Sequence, residues 1–138
     1  MAVSYIKMFN QTIGEFFNDL MEMFPDETCI RVNYTLFQSL CKTNAKKPCS
    51  DFILNSLPHL EQIALRDDTL FTGNNRPSFL SKINFEKLWL LLSDNNKTII
   101  WKYIQSFFAI GINIIEVPPE SLPLIDYIIK FKKWQFLI

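Results

Sequence analysis

The run "TIIWKYIQSFFAIG", residues 98–111, restricts the fold more than any other stretch. Wound into a helix, it places Ile99, Ile100, Tyr103, Ile104, Phe107, Phe108 and Ile110 on nearly every side. A helix apolar all round has to be covered on more than one face. The remaining chain must therefore wrap it, and this helix is expected at the centre of the core. Ser93 or Asp94 is placed to cap its start, and Gly111 is a natural terminator. The preceding residues, from Asn84, put Phe85, Leu88, Trp89 and Leu92 on one face, and "SDNN" breaks the pattern. The two halves read as a helical hairpin. Trp89 and Trp101 are then packed rings, and each indole N–H needs a partner.

A membrane span is the competing explanation of such a run. The best window, residues 98–117, contains Lys102, Gln105, Ser106 and Asn113. A spanning helix needs roughly 20 residues almost free of such groups. No span is expected, although contact with a membrane surface stays open.

Other segments supply the covering faces. Ile6, Phe9, Ile13, Phe16, Phe17, Leu20 and Phe24 recur at helical spacing, with Glu15, Asp19 and Glu22 turned elsewhere. Pro25 stops that helix. Asp26 is the expected cap of a second helix, with Ile30, Tyr34, Phe37, Leu40 and Cys41 as its stripe. The stretch "CIRVNYTLF" also alternates, so a strand competes there. "KTNAKKP" reads as a basic loop, and a third helix is expected from Ser50 or Asp51. Pro58 is suited to open a new turn. Asp67 or Asp68 can cap a turn holding Leu70 and Phe71. Gly73, Asn74, Asn75 and Pro77 are loop chemistry. After Gly111, residues 112–117 alternate and predict a short extended segment. The chain closes with an amphipathic helix whose apolar side is Leu124, Ile128, Phe131 and Trp134.

The expected fold is therefore all-α, five to seven helices in one domain over residues 1–138. Residues 1–111 form its core, and 112–138 supply the extended segment and last helix. The predicted core residues are Phe16, Leu20, Phe24, Phe85, Leu88, Trp89, Ile100, Trp101, Ile104 and Phe107. A chain this long buries about two thirds of its unfolded surface, so no metal or disulfide is needed to hold it. Cys29, Cys41 and Cys49 are odd in number and read as reduced thiols of an intracellular protein. The opening residues lack the clean apolar run of a signal peptide. The N-x-T sequons at Asn10, Asn33 and Asn96 then carry little meaning.

Chemistry-bearing motifs are weak. Three glycines cannot build a phosphate-cradling loop. His59 is the only histidine and reads as a surface or capping residue. Cys29, Cys41, Cys49 and His59 lack the short knuckle spacing of a zinc site. Asp67 and Asp68 read as a cap and its solvated neighbour. No catalytic residue, metal or cofactor is expected. The net charge of zero removes the basic excess that draws proteins to nucleic acid. Arg76, Lys82, Lys87, Lys97 and Lys102 are the bases a nucleic-acid surface would use. The charge is nevertheless blocked. Residues 1–28 carry Lys7 against Glu15, Asp19, Glu22, Asp26 and Glu27. Residues 29–50 carry Arg31, Lys42, Lys46 and Lys47 and no acid.

The segment "INFEKLWLLLSDNNKTIIWKYIQSF" resembles an uncharacterised family of short helical proteins of large cytoplasmic DNA viruses, of the chlorella-virus and mimivirus kind. The likeness rests on "FFNDLMEMFP", on "RDDTLF", on Ile83, Phe85, Leu88 and Trp89, and on Lys97, Ile100, Trp101, Lys102 and Tyr103. It covers roughly residues 12–108 and leaves the tail outside. It implies a viral origin and a compact helical fold, and no activity. Together with the charge blocks and the apolar tail, the expected function is a non-enzymatic interaction protein. A virion component, such as a minor capsid or capsid-associated protein, is the leading form, acting in the host cytoplasm (the virus factory) and in the virion. Its partners would be viral capsid or assembly proteins, met through Lys130, Phe131, Lys132, Lys133, Trp134, Phe136 and Leu137. The competing expectation is a small regulatory or nucleic-acid-associated factor in viral transcription or replication.

Overall fold

The computed structural model describes residues 2–73 and 83–128. The chain is all-α, and no strand occurs among the described residues. The long elements are α1 (Ala2–Met23), α2 (Thr28–Thr43), α3 (Lys47–Ser56) and α7 (Asp94–Gly111). Short ones connect them: α4 (Leu60–Ala64), α5 (Thr69–Thr72) and α6 (Phe85–Leu88), with 3₁₀ turns at Leu57–His59, Trp89–Leu91 and Pro119–Ser121. Residues 122–128 are helical again.

The all-round apolar run does become the central helix. Ser93 caps α7, its hydroxyl accepting from the Asn96 N–H at 3.1 Å. Ile100, Trp101, Ile104, Phe107, Phe108 and Ile110 are all buried. α1, α3 and α4 pack against it from different sides. Phe107 sits among Phe9, Phe16 and Phe52, with ring centroids 5.3–5.6 Å apart. Burying each such ring is worth about 1.5–3 kcal/mol, and tilted pairs add roughly 0.5–1.5 kcal/mol.

A second aromatic group closes the other end. Phe71 stacks on Trp89 at 3.8 Å and meets Trp101 edge-on at 5.0 Å. The two indoles are treated unequally. Trp101 Nε1 donates to Asp68 Oδ1 at 3.3 Å. Trp89 Nε1 is buried without a hydrogen-bond partner, an expense of packing its ring flat on Phe71. Lys97 lies over the Trp89 ring, 5.5 Å from the centroid.

Several local expectations are corrected. Phe24 is only half-buried and packs at the edge of the core, because α1 ends at Met23 before Pro25. Glu27, not Asp26, holds the N-cap position of α2, and no side chain caps it. α3 starts at Lys47 rather than Ser50, since Pro48 fits the first helical turn, where no N–H partner is needed. The first arm of the hairpin is one α turn and one 3₁₀ turn, not a long helix. The alternating residues 112–117 form no strand. The N–H groups of Ile112, Asn113, Ile114 and Ile115 bond back to α7 carbonyls, and Ile112, Ile114, Ile115 and Val117 pack on the core. In the last helical stretch Leu124 is exposed, and Ile125 with Ile128 is buried instead.

Gly111 is not a left-handed terminator, since no glycine among the described residues has positive φ. Its need is close packing: a Cβ there would stand 2.8 Å from Ile53 Cδ1 and 3.3 Å from Cys49 Sγ.

Candidate functional site: two grooves along a half-covered helix

The residues with the most chemistry in the sequence meet at one corner, where α4, α5 and α7 join. His59 is buried there, not a surface residue. Its Nδ1 lies 3.0 Å from Gln62 Oε1. Gln62 Nε2 donates to Thr69 Oγ1 at 3.0 Å, and Thr69 Oγ1 donates to Asp67 Oδ1 at 2.8 Å. Asp67 also accepts the Thr69 backbone N–H at 3.0 Å. These two bonds, the backbone one first, hold its carboxyl below the usual range. Asp67 thus braces the entry to α5, while Asp68 holds its N-cap position and anchors Trp101.

Arg66 turns the corner. Its φ of 52° is the one positive value among the described non-glycine residues. That strained turn aims its guanidinium at the buried Gln105, whose Oε1 accepts from Nε at 3.2 Å and Nη2 at 3.0 Å. Gln105 Nε2 donates to the Ile63 carbonyl at 2.9 Å. Burial lowers the Arg66 pKa from its ordinary value. Sequence reading treated Gln105 only as a flaw in an apolar run. It is the polar tie between α4 and α7. The carboxylates and the imidazole here are spent on holding turns and rings.

The other chemical candidates are scattered. Among the described residues no three His, Cys, Asp or Glu side chains form a metal-sized group. Cys49 is buried, and Cys29 and Cys41 are half-buried. Burial pushes the Cys49 thiol up to about 11 and raises Cys41 as well. Lys87 and Lys102 are exposed and Lys97 covers Trp89, while Arg76 and Lys82 lie outside the described residues. So do the predicted partner-binding residues Lys130, Phe131, Lys132, Lys133, Trp134, Phe136 and Leu137. No helix of the described residues is long and apolar enough to cross a membrane.

The surface with unused binding capacity is α2. It pairs with α1 as an antiparallel hairpin after the Pro25 turn, and Asn10 Nδ2 reaches the Ala45 carbonyl at 2.9 Å. Phe17, Tyr34 and Phe37 stack between the two helices, with centroids 5.3–6.5 Å apart. Yet Ile30 is its one buried residue in 16. Val32 and Leu36 are 51% and 60% exposed. They fall off the Ile30–Tyr34–Phe37–Cys41 stripe, a signal present in the sequence.

A groove runs on each flank of α2. The first, about 230 Å³, lies toward α3 and is walled by Ile13, Phe17, Leu36, Leu40 and Phe52, with Asn33 and Asp51 as its polar groups. The second, about 610 Å³, lies between α1 and α2 on the far side of Phe37. Lys7, Asn10, Gln11, Gln38 and Lys42 line it, beside Tyr34 and Cys41.

Comparison of the chain with protein-family models, with curated proteins and with solved structures gives no match.

Proposed function

We propose that this chain is a non-enzymatic interaction protein that engages a protein partner through α2. On its resemblance to the short helical proteins of large cytoplasmic DNA viruses, we place it as a virion component, a minor capsid or capsid-associated protein. Its partners would then be viral capsid or assembly proteins, met in the host cytoplasm. One observation carries the reading. A helix with apolar residues on two sides buries only Ile30 and leaves Leu36 at the lip of an apolar groove. Amphipathic partner helices are taken up by such grooves through apolar anchors. Exposed apolar patches rimmed by polar groups mark interaction surfaces. The corner formed by His59, Asp67 and Asp68 supports the same reading, because its side chains already serve the fold.

The test is site-specific photocrosslinking from position 36 in infected cells, with the same crosslinker at exposed Lys102 as control. Capsid or assembly proteins joined from position 36 and not from position 102 are the expected result. Equal products from both positions, or none from either, would sink the proposal. Polymerase subunits or nucleic acid at position 36 would replace it with the regulatory alternative.

A further inference from the structure

We infer that the second groove, between α1 and α2, is an acceptor for an acidic helical segment of the partner. This inference rests on the interaction reading above and adds the chemistry of what is bound. Two observations carry it.

The first is Gly14. A glycine inside a helix weakens it relative to alanine, so it needs a reason. Gly111 has one, since Ile53 occupies the place of a Cβ. Gly14 has neither reason that folds usually supply. Its φ is not positive, and a Cβ built on it meets nothing within 4 Å. What the missing side chain leaves is open space, and that space is the groove.

The second is charge. Lys7 and Lys42 stand on opposite walls, from α1 and α2, and both are exposed. Asn10, Gln11 and Gln38 add carboxamides, and no carboxylate lines the groove. Lys46 follows just beyond Ala45, where the groove ends. Tyr34, Phe37 and Ile6 form an apolar floor. The lining from Tyr34 to Lys42 extends about 12 Å along α2 at the helical rise. A trough of that length, open to solvent, suits a helix with an apolar ridge and flanking acids more than a compact ligand. Acids on that segment would meet lysines from both walls, and such complementarity fixes orientation and speeds encounter.

The probe is a synthetic amphipathic peptide of Glu and Leu, about four turns long, titrated into the isotope-labelled full chain and followed by amide shifts. A peptide with Lys in place of Glu is the control. The expected shifts cluster at Lys7, Gln11, Gly14, Gln38 and Lys42, with the acidic peptide alone, and weaken with salt. Lys7→Glu with Lys42→Glu should reduce affinity about tenfold. Gly14→Leu should fill the groove and reduce it at least as much, with an unchanged or higher melting temperature. Equal binding of both peptides, or affinity unmoved by these substitutions, overturns the inference. Shifts confined to Ile13, Leu36 and Leu40 overturn it too, but leave the interaction reading standing. If position 36 crosslinks nothing while the acidic peptide still binds here, the reading above falls and this groove remains.

Discussion

α7 and α2 are similar in length and both rich in apolar residues, yet they are used in opposite ways. α7 buries eight of its 18 residues, among them the polar Gln105. α2 buries one of 16. The difference does not come from hydrophobic content alone. Phe107, Phe108 and Trp101 each face another element, whereas Val32 and Leu36 face outward. A helix becomes core when its neighbours approach from several sides, and a candidate interface when one side is left uncovered.

The sharpest way to break this comparison is truncation on each helix. Phe107→Ala removes a ring packed against Phe9, Phe16 and Phe52 and should cost about 3–5 kcal/mol by urea denaturation. Leu36→Ala should change stability by no more than about 0.5 kcal/mol, because the side chain is already in water. Equal losses would mean that α2 is covered in solution.

Next in size is Gln105→Leu. It withdraws the acceptor of Arg66 and the donor to the Ile63 carbonyl. A loss of about 1–3 kcal/mol is expected. A neutral result would make the tie between α4 and α7 dispensable.

Alkaline pH probes the same inner layer. The Cys49 thiol rises from 9.0 to about 11 through burial. A raised folded-state value means that the folded chain holds the proton more tightly. Stability is therefore complete below pH 9.0 and is lost as pH rises toward about 11. Tyr103 is raised by burial and by its hydrogen bond to Asp19, so it extends the loss to higher pH. Urea midpoints measured across that window should fall, and Cys49→Ala should remove the first part of the slope. A slope unchanged in Cys49→Ala would assign it elsewhere.

A small effect of the opposite sign is expected at Gly14. Gly14→Ala should stabilise the chain by about 0.5–1 kcal/mol, since its Cβ meets nothing and the unfolded chain loses freedom. A destabilised variant would show that the groove wall is packed after all.

Much of the inner layer was legible in the residues. Period-3.6 repeats located Phe16, Leu20, Ile100, Ile104 and Phe107 in the core, and cap chemistry offered Ser93 or Asp94 at the start of α7, where Ser93 is the cap. Boundaries near prolines were less legible, because Pro48 can either end a loop or begin a helix. Alternation misled at 112–117, where the chain turns back onto α7. The candidate site was barely legible. Val32 and Leu36 stand off the stripe of α2, but nothing local says whether another element covers them.

The sequence alone determined that α7 would be central, because a helix apolar all round has no stable place elsewhere. It also pointed to the helical class, through the 3.6-residue repeats of α1 and α7. Tertiary structure decided which of the lesser helices would be left half-covered. It paired Trp101 with Asp68 and left Trp89 unpaired, and it tied Arg66 to a buried Gln105 across 39 residues of chain. It also set an unobstructed Gly14 in one groove with Lys7 and Lys42. Periodicity reports which face of a helix seeks cover. Only the assembled neighbours decide how much cover there is.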